Sequence, residues 1–163
     1  MQNTSTQIVT TETTGSWLRR LTVFMLVLLI IEFITGEITN LFVTLPSAHP
    51  GAASSGFSGF VPGLGWALTQ SRLSILQVHG AIGLLLVLLA LVLLGLAMVR
   101  RQRPWVLTSL LGAIGVLIAA VAGVGFVNTG QAASSLLMAL GFLLALIIYA
   151  MGLYVTRPRQ AVR

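Results

Sequence analysis

Four stretches of this chain, residues 21–43, 73–99, 105–127 and 132–155, are each long and oily enough to cross a bilayer. A membrane helix needs about 20 mostly apolar residues. Because hydrocarbon offers no partner to a bare peptide group, a spanning segment must be a helix or part of a closed barrel. Continuous apolar runs of this length, without period-two alternation, predict helices. Of the 163 residues 56% are hydrophobic and 7% charged, against roughly a quarter charged in soluble domains. The expected fold is all-α, an integral membrane four-helix bundle over 17–156. A disordered polar tail (1–16) precedes it and a basic tail (157–163) follows.

The nine basic residues are all arginine, and the acids are Glu12, Glu32 and Glu37. Arg19 and Arg20 precede the first span, Arg100, Arg101 and Arg103 join the second to the third, and Arg157, Arg159 and Arg163 follow the fourth. Positive charge beside spans marks the cytoplasmic side. The orientation expected is therefore a multi-pass protein of the cell membrane with both termini and loop 100–103 cytoplasmic. The formal charge of +6 is used up in this way, so no basic face is left for nucleic acid. The first span is too long for a signal-peptide core and is read as retained.

The exterior connection 44–71 is rich in Pro, Gly and Ser but carries Phe57, Phe60 and Trp66. Such rings favour the membrane interface, so this loop is expected to lie on the membrane or cap the bundle, with a short helical turn near 66–71. On the third span Gly115, Ala119 and Gly123 form a small-residue ridge of the kind that lets helices approach closely in lipid. Bundle packing is the plain reading of this ridge, and a homo-oligomer or partner interface the alternative.

The polar residues of the spans gather towards the exterior half. His79 and Glu37 both lie six residues inside the exterior ends of their spans, ~9 Å deep by helical rise, which predicts that they pair. Met138 lies at the same depth. At ~100° per residue, Glu32, Gly36, Asn40 and Glu37 fall within one arc of ~140°, with Ile31, Ile34, Ile38 and Phe42 opposite. Glu32, at mid-span, is costly as a bare carboxylate and is expected to be protonated or hydrogen-bonded across the bundle. Asn128 and Gln131 are expected to cap helix ends. Gly83 and Ala90 leave the face of His79 unobstructed.

Three functions suit this polar cluster of Glu32, Glu37, Asn40, His79, Asn128 and Gln131. The first is a non-enzymatic accessory or assembly subunit in the bilayer, bound to a membrane partner. The second is a b-haem or metal-binding redox protein with His79 as ligand, Met138 as its axial partner, Glu37 orienting the imidazole, and His49 as a substitute ligand. The third is a proton-coupled transporter or channel component using Glu32, Glu37 and His79. No Cys and no Asp are present, so thiolate chemistry and Ser-His-Asp hydrolysis are not expected, and no catalytic residue is assigned.

The segments TGEITNL (35–41) and LQVHGAIG (76–83), with the long connection between them and a glycine-rich third span, resemble one four-helix half of haem A synthase. They are also similar to four-helix b-type membrane cytochromes. The resemblance covers most of 21–155 and implies a haem-binding ancestor with His79 as ligand. Where that family has a second histidine on its fourth helix this chain has Met138, and the family's cysteine-bearing loop is absent, which speaks against haem A synthesis. The segment NLFVTLPSAHPG (40–51) looks like one found in small bacterial four-helix membrane proteins.

Overall fold

The structure, a computed structural model, describes residues 4–52, 54, 57–69 and 74–156. Five helices are present among them: α1 (Thr4–Phe42), α2 (Phe57–Thr69), α3 (Ser74–Val99), α4 (Arg103–Thr129) and α5 (Ala132–Val155), with no strand among the described residues. Four are long and apolar enough to cross a membrane, over Ser16–Phe42, Ile75–Val99, Arg103–Thr129 and Ala132–Val155. These coincide with the expected spans to within a few residues. The backbone of α1 is already helical from Thr4, where a disordered tail was expected. Once a span has nucleated a helix, each further residue adds a hydrogen bond. Residues 1–3, Arg72 and the tail 157–163 lie outside the described residues.

The long helices pack as a closed ring in the order α1, α3, α4, α5 and back to α1. Neighbours run antiparallel: Gly36 lies against His79 and Gly83 against Glu32, while the rings of Phe33 and Phe142 approach to 5.6 Å. The three helix ends bearing described arginines, on α1, α3 and α4, therefore fall on one side, the arginine end, together with the C-terminal end of α5. There the guanidinium Nη1 of Arg19 donates to the carbonyls of Leu153 (3.1 Å) and Thr156 (3.2 Å). A cation at a helix C-terminus satisfies last-turn carbonyls and opposes the helix dipole.

The arginine-end half packs around Leu18, Met25, Leu29, Leu93 and Tyr149, all buried. Ile31, Ile34, Ile38 and Phe42 are exposed, as the arc on α1 predicts for lipid-facing positions. The tightest contact joins α4 to α5. A β-carbon built on Gly115 would stand 2.8 Å from the Ala145 nitrogen and from the Gly141 carbonyl oxygen. The small-residue ridge is thus covered within the chain: Gly115 and Ala119 meet Gly141, and Gly123 meets Met138. Bundle packing, the plain reading of the ridge, accounts for it, because α5 occupies the close approach it permits.

The Tyr149 ring lies flat on Gly112, and its fully buried hydroxyl has no hydrogen-bond partner. An unpaired buried hydroxyl contributes a desolvation penalty and no compensating bond. Tyr149→Phe is therefore expected to leave the bundle as stable as before or stabilise it by up to about 1 kcal/mol, measured by reversible unfolding in mixed micelles. A marked loss of stability would show that the hydroxyl does have a partner.

At the opposite, loop end, α2 lies across α3 and α4. Trp66, Ala67 and Leu76 form a second small core with Leu45 and Val127. The expected short turn is a 13-residue helix that begins earlier, at Phe57, and carries Pro62 inside it. Packed in this way, α2 covers the loop ends of α3 and α4.

Candidate functional site

Beneath α2 the loop-end half of the ring is not filled. A cavity of about 420 Å³ is lined from all five helices, mostly by Leu, Val, Ala and Phe side chains. Its polar wall is built on α1 and α3. His79 Nδ1 lies 3.1 Å from Glu32 Oε1, and the two side chains are only 19% and 11% exposed. Thr35 completes the group: its hydroxyl donates to the Glu32 backbone carbonyl (3.0 Å), reaches Glu32 Oε2 at 3.3 Å and His79 Nδ1 at 3.4 Å. Thr39, one turn on, donates to the Thr35 carbonyl.

Glu32, not Glu37, is therefore the partner of His79, which corrects the pairing expected from depth. The level was right: a β-carbon on Gly36 would touch His79 Cε1 at 3.0 Å. The azimuth decides otherwise, since Glu37 lies five residues from Glu32, ~140° around the helix, and is exposed on the cavity's margin with Asn40. Gly83, expected to leave the histidine's face open, instead accommodates the carboxylate, with Glu32 Oε1 2.9 Å from where its β-carbon would be. Ala90 is buried in the main core. A signal for the true pair is present in the sequence: Glu32 and Gly36 on α1, His79 and Gly83 on α3, each a polar residue four before a glycine. On antiparallel helices each polar side chain then meets the other helix's glycine.

Neither Asn128 nor Gln131 caps a helix end with its side chain, although Gln131 holds the N-cap position of α5. The α4 end is closed by Gly130 at φ +64°, whose N–H bonds the Phe126 carbonyl, and Gln131 makes no side-chain cap bond to α5. Asn128 is buried and donates from Nδ2 to the Gly59 carbonyl of α2 at 2.9 Å, and its amide fits directly against Gly63. Glycines 59 and 63 are thus required so that α2 can sit on the end of α4. His49 stacks on Trp66 at 4.1 Å, with Nε2 3.1 Å from the Val127 carbonyl oxygen and Nδ1 3.0 Å from that of Pro50. Both ring nitrogens face carbonyls, so His49 pins the loop and is not placed as a ligand.

His79 and Met138 line the same cavity, which is where the second expected function would put haem. The lining does not suit it. Haem b carries two propionates, whereas the ionisable residues lining this cavity among the described residues are Glu32, Glu37 and His79, with no arginine among them. Among the described residues no three His, Cys, Asp or Glu side chains gather as a metal site. Comparison with protein-family models, curated proteins and solved structures finds no match for this chain.

Proposed function

We propose that this chain is a non-enzymatic membrane protein that takes a small amphipathic molecule from the bilayer and holds it against the Glu32–His79 pair. The observation that carries the reading is the cavity of about 420 Å³ with one polar wall. Ligand sites run to roughly 300–1,000 Å³, mostly apolar with a few convergent polar groups. Exposed residues also line it, Phe33 on α1, Leu84 on α3 and Leu117 and Val121 on α4, so entry is sideways, from lipid. With the arginine end cytoplasmic, the molecule enters from the exterior half of the bilayer. An accessory role beside a larger membrane partner is compatible with this, on faces other than the covered α4 ridge.

The neutral fluorophore N-phenyl-1-naphthylamine tests the reading. Protein in nanodiscs should show saturable enhancement above empty nanodiscs. Ala120→Trp, which fills the cavity from α4, should weaken binding about tenfold, the equivalent of ~1.4 kcal/mol. Absence of saturable binding to the wild type, or undiminished binding to a folded Ala120→Trp, overturns it.

A further inference from the structure

The charge of the cavity narrows what it can hold. Among the described residues its ionisable lining groups are Glu32 and Glu37 from α1 and His79 from α3, while α2, α4 and α5 contribute none. The described arginines Arg19, Arg20, Arg100, Arg101 and Arg103 belong to the far end of the bundle. Four rings, Phe33, Phe60, Phe126 and Phe142, line the same space, and aromatic faces within ~6 Å attract a cation, most strongly away from water. An anion would meet two carboxyl groups in a medium of low dielectric, where like charges repel strongly.

Resting on the binding role above, we infer that the occupant is a lipophilic organic monocation, an onium or amine head carried on an apolar body, and that it displaces a proton from the Glu32–His79 pair. The balance is simple. Carrying one titratable proton, on the imidazole or on the carboxyl group, the pair has net charge zero, and once that proton is lost the carboxylate beside a neutral imidazole has net charge −1. A monocation beside the deprotonated pair restores neutrality, so one cation enters as one proton leaves to solvent, with no bond made to the ligand. Glu37, exposed at the margin, sits where an arriving cation passes.

Tetraphenylphosphonium, tetraphenylborate and triphenylphosphine oxide make a charge series on closely related bodies. On wild-type protein in nanodiscs, saturable binding above empty nanodiscs should be at least about tenfold tighter for the phosphonium than for the other two. Its binding should release close to one proton per cation in weakly buffered medium, so its affinity should rise with pH, as linkage requires. Glu32→Gln, which keeps the shape and removes the charge, should abolish the proton release and weaken phosphonium binding about tenfold. Should that variant fail to fold, the wild-type charge series decides alone. Equal saturable binding of all three probes, or tighter binding of the borate, overturns the cation inference and leaves the cavity reading standing. Binding of none of them, nor of the naphthylamine fluorophore, overturns both.

Discussion

Gly141→Leu is expected to yield no folded bundle, and Gly141→Ala alone to cost about 2–3 kcal/mol, the upper part of the range for overpacking. A β-carbon built on Gly141 stands 2.7 Å from the Ala119 nitrogen and 2.8 Å from the Gly115 carbonyl oxygen. These are backbone atoms of α4, so no rotamer change relieves the contact and the two helices must separate. Separation is expensive because membrane helices associate through close packing, without the water-driven burial that would tolerate a looser fit. It would also loosen the neighbouring contacts, since Gly115 meets Ala145 and Gly112 meets Tyr149 along the same seam. Gly95→Ala provides the control, as nothing lies within 4 Å of its β-carbon position, and it should be neutral or slightly stabilising through helix propensity. Denaturant titration in mixed micelles, followed by circular dichroism, measures all three. Equal stability of Gly141→Ala and Gly95→Ala would refute the tight α4–α5 seam.

The second large effect belongs to the polar pair. Glu32→Ala should destabilise the bundle by about 1–3 kcal/mol, because it strips His79 of its partner at a largely buried site. The estimate stays below that for a fully buried ion pair, since both side chains keep some exposure and hydrogen bonds in lipid are often worth under 1 kcal/mol. Glu37→Ala should change stability by less than about 0.5 kcal/mol, as exposed positions usually do. A double-mutant cycle of Glu32→Ala with His79→Ala should give a coupling of about 0.5–2 kcal/mol, and the same cycle with Glu37 should give nearly none. The reverse ranking would reinstate Glu37 as the partner.

That contrast marks where the sequence was readable. Distance along a helix axis follows from counting residues, so the spans and the level of His79 came out correctly. Rotation about the axis depends on which neighbours close the ring, and one sequence carries that only indirectly. Glu32 reaches His79 because Gly36 and Gly83 clear the way, a relation visible only once α1 and α3 are set antiparallel and side by side. The loop hid its helix for a related reason: glycines 59 and 63 look like turn residues but serve the approach of Asn128. Trp66 was placed well because a large ring in a polar loop has few favourable resting places.

The grip of Arg19 on the final turn of α5 ties the first of the four spans to the fourth. The polar pair needs only α1 and α3, whereas the seam between α1 and α5 needs the helix furthest from α1 along the chain. A bundle without α5 would keep both partners of that pair but leave an open trough, with the glycine face of α4 bare to lipid. The polar wall is thus a property of two helices, and the enclosure around it a property of the whole ring.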